Sequence, residues 1–301
     1  MDINNYRAKW NIETEELLNL KTVDQTDIFE VLAAARDLKI KARLGERMKK
    51  LAGKNIFFMA KNSYGKSRLA FEVAVHSLDA NPISIPLDGK HIEEMVNNND
   101  IVKVIERYGF SLAVLDTSDR DDCLNLAKNL ALPVINANER AGAVHSLAVL
   151  LTAWEHKNKL KDLKAVIVGD FEQDQTSLLY GMVKCKMDVT VVAPGRFANI
   201  QRALERAREY GDCKWSDDLA QSIEGADIIY CYGHEFGDEY KVTLDMVKEL
   251  CPNAVYMQNI PMVVRGREAD VALIESQNSA IYDLGENLLH AERAAIYLLG
   301  K

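Results

Sequence analysis

Two cations and a hydroxyl follow one another at the start of a predicted helix. Lys66, Ser67 and Arg68 come after Tyr64 and Gly65, directly behind an apolar run that is typical of a strand. Backbone N–H groups and the macrodipole at a helix N-terminus favour an anion. This pentad therefore predicts a phosphate or carboxylate site, and the alternative is that Arg68 only pairs with a nearby carboxylate. The full G-x-x-x-x-G-K-[ST] nucleotide loop is absent.

Further polar residues are candidates for acid–base chemistry or for ligand binding. Asp116 ends a predicted strand, where it either brings charge to a site or caps the next loop. His145 lies in a long apolar helix, where packing is the alternative to a catalytic role. Asn259 is a candidate because an Asn side chain can both donate hydrogen bonds to a ligand and accept them from it. The predicted ligand contacts outside the pentad, for which a solvated loop is the alternative, are Asn136, Glu172, Gln173, His234 and Arg265.

Composition limits the classes of partner. A chain of 301 residues suggests two domains of about 150 residues each. Its net charge of −8 disfavours nucleic acid and anionic membrane. Neither a membrane-spanning run nor a signal pattern is visible, so we expect a cytoplasmic protein. The five widely spaced cysteines predict reduced thiols, with no disulfide frame and no metal site, and we expect no cofactor.

Short apolar runs alternate with longer helical patterns along the chain. Such alternation predicts an α/β protein with two doubly wound parallel-sheet domains joined by interdomain helices. Ala141–His156 is the predicted connector, and Leu284–Leu299 is predicted to pack back onto the first domain. The predicted strands are Asn55–Met59, Ile83–Leu87, Leu112–Asp116, Val134–Ile135, Ala165–Val168, Val189–Val192, Ile228–Tyr232, Val255–Met257 and Ala280–Tyr282, and the helices between them include Lys66–Leu78, Asp121–Leu130, Asp174–Cys185 and Phe197–Tyr210.

Three stretches resemble the aspartate/ornithine carbamoyltransferase family. Phe57–Val75 is similar to the strand, loop and helix that hold the phosphate of carbamoyl phosphate. Leu132–His156, followed by KDLKAVIVGD, is similar to the interdomain helix and the first strand of the amino-acid domain. Gln258–Leu299 resembles the end of ornithine carbamoyltransferases. With matching spacing between the stretches, the resemblance covers nearly the whole chain and implies the fold of that family.

The resemblance also implies a domain division, an assembly and a chemistry. Residues 1–140 and 285–301 would form the carbamoyl-phosphate-type domain, and residues 141–284 the amino-acid-binding domain. The family forms homotrimers. In its reaction an amino nucleophile attacks the carbonyl of carbamoyl phosphate, and phosphate leaves from a site that excludes water.

The chain departs from the family on the side of the carbamoyl donor. The family loop Ser-Thr-Arg-Thr-Arg reads Tyr-Gly-Lys-Ser-Arg here, so Lys66 replaces an Arg and offers a point charge without a bidentate fork. Asp116 stands where the family has an Arg that contacts the carbamoyl group, which reverses the local field. The family's His-Pro-x-Gln motif falls at Gly142 and His145.

The acceptor motifs differ as well, because the family's His-Cys-Leu-Pro loop reads Gln258-Asn259-Ile260-Pro261. The sequence therefore predicts a carbamoyltransferase-like protein with a divergent active site that binds an amino-acid-like ligand, or an acyl phosphate, in the interdomain cleft. It would be a transferase with an altered donor or acceptor rather than a true ornithine or aspartate carbamoyltransferase. Two alternatives remain open: a non-catalytic ligand sensor or partner subunit, and a different acid–base reaction that uses Asp116, Glu172 or His145.

Overall fold

The computed structural model describes residues 3–60, 65–86, 103–104, 106–116, 120–138, 142–169, 176–195, 200–259 and 264–300. The chain divides into two compact units. The N-terminal unit comprises Tyr6–Ala148 and Leu288–Lys301, and the C-terminal unit comprises Met1–Asn5 and Val149–Asn287. Beyond residue 6, the chain passes between the units within two helices, α4 (Ala143–Lys157) and α10 (Ile281–Leu299).

The N-terminal unit is built on a parallel sheet of four strands in the order β2-β1-β3-β4. The two inner strands, β1 and β3, are apolar, as is typical of parallel strands that are covered on both faces, and all but the first residue of β1 are buried. The elements are β1 (Asn55–Ala60), β2 (Asn81–Pro86), β3 (Phe110–Asp116), β4 (Val134–Asn136), α1 (Gln25–Arg43), α2 (Lys66–Ser77) and α3 (Arg120–Asn129).

Helix α1 is tied to the segment that precedes it by two carboxylates. The buried Glu30 accepts hydrogen bonds from the Tyr6 hydroxyl at 2.7 Å and from the Trp10 backbone N–H at 2.5 Å. Asp27 accepts from the backbone N–H groups of Glu13 and Thr14. Buried carboxylates are tolerated when hydrogen bonds satisfy them in this way, so these two acids fix the N-terminal segment onto the unit.

The C-terminal unit contains a parallel sheet of five strands in the order β7-β6-β5-β8-β9. Its core brings apolar residues of β5 and β8 together with those of three short helices, Leu219–Ile223, Leu244–Leu250 and Val271–Ile274. The elements are β5 (Lys164–Val168), β6 (Asp188–Val192), β7 (Cys213–Ser216), β8 (Ile228–Cys231), β9 (Val255–Gln258), α5 (Thr176–Lys184), α6 (Ile200–Ala207), α7 (Leu219–Ile223), α8 (Leu244–Leu250) and α9 (Val271–Ile274).

The two parallel sheets confirm the predicted fold class, with two differences in detail. The strand predicted at Ala280–Tyr282 is wrong, since Ala280 makes one strand-like hydrogen bond to Tyr256 and then begins the turn that opens α10. The sequence did not indicate β7, because this edge strand is polar and largely exposed. No helix in the described ranges is long and apolar enough to cross a membrane.

Candidate functional site

In the N-terminal unit the candidate residues meet at the carboxyl edge of the sheet. The chain order reverses between β1 and β3, and ligands of open α/β sheets bind outside the carboxyl ends of the strands at such a switch point. Ala60 at the end of β1 pairs with Asp116 at the end of β3. Leu115 pairs in turn with Asn136 at the end of β4. Ala60, Asp116 and Asn136 therefore lie side by side at this edge.

Helix α2 begins directly behind this edge, as its sequence predicts. Gly65 is the N-cap residue and supplies no side-chain cap to the helix. Ser67 is buried in the first turn, while Lys66 and Arg68 are half-buried. Tyr64, the first residue of the pentad, lies outside the described residues.

Arg68 turns along its own helix. Its Nε donates to Oε1 of Glu72 at 2.8 Å, one helical turn further on, and the Ser84 hydroxyl also donates to that oxygen. The hydrogen bond from Arg68 is the main reason why the pKa of Glu72 is lowered. This is the arrangement expected from the alternative in which Arg68 only pairs with a nearby carboxylate.

Two carboxyl groups approach each other at the same edge. Glu292, on α10, is 1% exposed and was not predicted from the sequence as a site residue. Burial raises its pKa well above the usual range, and the neighbouring Asp116 raises it further. Burial thus favours the neutral carboxylic acid of Glu292, which can then donate a hydrogen bond.

His145 is also held neutral. It lies in the buried first turns of α4, and its pKa is lowered to about 3 by burial and then by the charge of Lys66. At neutral pH its imidazole is therefore a hydrogen-bonding group and not a general acid that cycles through a charged form.

Two residues near His145 have structural roles. The side chain of Asn136 accepts the backbone N–H of Asn138 at 2.9 Å, which shapes the loop after β4. Gly142 fits this loop because a Cβ there would lie 2.4 Å from the carbonyl oxygen of Asn138. A side chain at position 142 would require the loop to move.

In the C-terminal unit the corresponding switch point lies between β5 and β8. Gly169, at the end of β5, has φ +144°, and a Cβ on it would meet the Cβ of Tyr232 at 2.7 Å. His234 follows Tyr232 and is buried, with its ring stacked on Phe236 at 4.5 Å and its Nδ1 accepting the Phe236 N–H. These contacts give His234 a packing role. Glu172 and Gln173, which were predicted to border this edge, lie outside the described residues.

A buried polar chain follows β9. The Tyr256 hydroxyl donates to Oε1 of Gln258 at 2.6 Å, and Nε2 of Gln258 donates to Oε2 of the buried Glu268 at 2.9 Å. The Gln258 amide is thereby fixed in one orientation, next to the half-buried Asn259. Sequence reasoning missed Glu268, since only the folded chain brings it beside Gln258.

Arg265 pairs with a carboxylate at the surface. It forms an ion pair with Glu275, and both side chains are largely exposed. Arg267 approaches Glu235 at 3.5 Å in a similarly open setting. This exposed position of Arg265 matches the solvated-loop alternative to a ligand role. Exposed ion pairs of this kind contribute little stability.

Comparison with known proteins decides the family. The sequence model described as the carbamoyl-P binding domain of aspartate/ornithine carbamoyltransferases matches residues 15–155, and the one described as the Asp/Orn binding domain matches residues 161–299. The chain belongs to the aspartate/ornithine carbamoyltransferase family. The ornithine carbamoyltransferase of Pyrococcus abyssi is 27% identical over 96% of this chain and 96% of its own length.

Solved structures of the family agree. An ornithine carbamoyltransferase from Pyrococcus furiosus has a TM-score of 0.84 at 28% identity and covers 95% of this chain and 96% of its own. One from Thermus thermophilus has a TM-score of 0.84 at 25% identity and covers 96% of this chain and 99% of its own. Fold and family are therefore established across the full length of both units.

Within the carbamoyltransferase fold, charge is close to balanced among the described side chains at the N-terminal sheet edge. Lys66 and Asp116 carry opposite charges, the charge of Arg68 is shared with Glu72, and burial favours neutral His145 and Glu292. The described side chains thus offer hydrogen bonds from neutral groups and little excess positive charge. Within the described ranges, no three His, Cys, Asp or Glu side chains lie close enough to hold a metal ion.

Proposed function

We propose that this chain is a transferase of the carbamoyltransferase type that uses an altered donor or acceptor and binds an amino-acid-like ligand. Membership of the family supports the reaction class, in which an amine attacks an activated carbonyl, a C–N bond forms and the leaving group departs. The balanced charge around Lys66 and Asp116 is the observation that carries the proposal. A dianion such as carbamoyl phosphate would meet a carboxylate at the edge where it needs cations.

In this proposal each residue has a defined role. Lys66 and the start of α2 bind an anionic group of the donor, with Ser67 as a hydrogen-bond donor. The neutral His145 donates a hydrogen bond to the carbonyl that is attacked. Asp116 sets the preference against a dianion, and Asn259 orients the acceptor. Held by Tyr256 and Glu268, the Gln258 amide supports the position of Asn259.

The first test is calorimetric titration of the full chain with carbamoyl phosphate at low salt, with inorganic phosphate as the reference ligand. We expect carbamoyl phosphate to bind no more tightly than phosphate. Asp116→Asn should tighten its binding at least tenfold, since removing one nearby charge is worth more than about 1.4 kcal/mol at intermediate dielectric. Asp188→Asn, at an exposed position in the other unit, is the matched control.

Either of two results would reject the altered donor. Saturable binding of carbamoyl phosphate by the unmodified chain, much tighter than that of phosphate, would mean that the donor site of the family persists. An equal response of the Asp116→Asn and Asp188→Asn variants would mean that Asp116 does not face the ligand.

The same charge balance favours a second candidate, a family member that binds a ligand without turning it over. A panel of amino acids, incubated with acyl phosphates and assayed for released phosphate, separates the two candidates. Turnover with any acceptor supports the transferase. Saturable amino-acid binding without phosphate release supports the sensor or partner subunit.

We also propose that the protein lies in the cytoplasm, a reducing compartment, because of the state of its cysteines. All five thiols are buried and free of disulfides. Burial raises the pKa of Cys185 and of Cys231 to about 12, so their reactive thiolate forms are suppressed. Inert buried thiols are typical of proteins that need no disulfide frame.

A further inference from the structure

A cavity lies in the N-terminal unit, at the edge of the sheet opposite the candidate site. Its volume is about 590 Å³. It is lined by residues at the C-terminal ends of α1 and α2, at the start of β2 and on helix α10. Cavities of this size hold small metabolites. Four of its lining residues carry basic side chains, namely Lys41, Arg47, His76 and Arg293.

Arg293 is the unusual member of this group. It is 5% exposed, and among the described residues its Nε has no hydrogen-bond partner. Its Nη1 lies 3.4 Å from Nδ1 of His290. Burial lowers the pKa of the guanidinium, with no neighbouring carboxylate acting to raise it.

A buried guanidinium without a counter-charge is costly, because buried charges are normally paired. Glu46 and Asp79 also line the cavity, yet neither forms an ion pair with Arg293 in the described ranges. Arg293 is therefore a buried cation that lines a polar cavity large enough to hold an anionic partner.

The segment that supplies Lys41 and Arg47 to the cavity lining is basic. Residues 39–54 contain seven Lys or Arg residues and one acidic residue, Glu46, within a chain of net charge −8. Cations in the last turn of a helix stabilise its C-terminus, which accounts for Lys41 and Arg43. That effect does not account for Arg47 beyond the helix or for the buried Arg293.

We propose that this cavity is a binding site for a small metabolite that carries a phosphate or carboxylate group. The planar guanidinium of Arg293 suits a bidentate contact with either group, and Arg47 lies at the exposed side of the cavity, where it completes the charge. The site is distinct from the one under the proposed function, since it lies at the amino edge of the same sheet, beside Asn81 where β2 begins.

The test is isothermal titration of the full chain with pyrophosphate and with citrate at constant ionic strength, paired with thermal denaturation. One equivalent of saturable binding is expected from at least one of the two probes, and that probe identifies phosphate or carboxylate as the recognised group. Arg47→Ala should weaken it at least tenfold. Lys49→Ala, an exposed cation of the same loop that does not line the cavity, should leave it unchanged.

Arg293→Met is the second variant, because it removes the buried charge. Its melting temperature should no longer rise with the probe, whereas that of the unmodified chain should. Lys66→Met shows at which edge of the sheet the probe binds, because Lys66 lies at the carboxyl edge and does not line the cavity. We expect this variant to bind the probe with full affinity. The proposal is overturned if neither probe saturates, if Arg47→Ala and Lys49→Ala behave alike, or if Lys66→Met alone abolishes binding.

Discussion

At the scale of single residues, the candidate site is defined by which side chains remain charged. Lys66, Asp116 and His145 were all predicted from the sequence, but their protonation was not. A histidine in an apolar helix can be charged or neutral, and only its burial and the nearby Lys66 lower its pKa to about 3. Glu292 could not be predicted, because the pattern of α10 does not show that this one acid faces Asp116.

Glu292 leads to a prediction about pH. Its folded-state pKa lies well above the ordinary value of 4.5, so the folded chain binds this proton more tightly than the unfolded chain does. The stability that this provides is complete below the unfolded pKa and is lost as pH rises through the folded pKa. Glu292→Gln should remove this loss. Between the unfolded-state and folded-state pKa values, the free energy of unfolding of the variant should rise relative to that of the unmodified chain by about 1.4 kcal/mol per pH unit.

Urea denaturation of both proteins between pH 4 and pH 8 measures this difference, since the urea midpoint follows the free energy of unfolding. Glu205→Gln, an exposed position on α6, is the control and should follow the unmodified chain. Parallel pH profiles for the Glu292→Gln variant and the unmodified chain would mean that Glu292 is ionised in the folded state.

At the scale of elements, the apolar strands could be predicted well and the polar ones could not. β1, β5 and β8 are buried on both faces, so their sequences are unbroken apolar runs. β7 lies at the edge of its sheet and buries one residue of four, which leaves no such signal. Ala280–Tyr282 has the composition of a strand but opens a helix, since short apolar runs do not distinguish the two.

Gly169 provides a test of the switch point in the C-terminal unit. Gly169→Ala would force a Cβ to within 2.7 Å of the Cβ of Tyr232 and would strain a backbone at φ +144°. We expect the free energy of unfolding to fall by about 2–4 kcal/mol, from overpacking and backbone strain together. Thermal or urea denaturation measures the loss.

Gly195→Ala is the matched control at the neighbouring strand end, where the nearest atom lies 3.8 Å away at ordinary contact distance. Its stability should change by no more than about 0.5 kcal/mol. If both variants were equally stable, the ends of β5 and β8 would not approach each other as closely as described.

At the scale of the whole molecule, charge is distributed unevenly. The chain carries a net charge of −8, yet residues 39–54 form a strongly basic segment at one edge of the N-terminal unit. The overall charge disfavours nucleic acid as a partner and gives no indication of this local field, because a net value averages over the surface. Local basic segments thus need to be counted separately from the total.

Helix α2 exposes apolar side chains that a monomer has no reason to present. Leu69 is 66% exposed, and Val73, one turn further on the same face, is 51% exposed. Ile83, on the neighbouring edge strand β2, is 41% exposed. An apolar face beside β2, the edge strand of the sheet among the described residues, is typical of an interface between chains. We therefore propose the homotrimer that the family resemblance predicts.

The double variant Leu69→Asp/Val73→Asp tests this assembly. Burying two carboxylates in an interface is strongly unfavourable, so light scattering after gel filtration should show the 33.8 kDa monomer for the variant and about three times that mass for the unmodified chain. Val271→Asp, at an exposed position on α9, is the control and should keep the larger mass. A monomeric unmodified chain would refute the trimer, and an intact trimer in the double variant would place the interface elsewhere.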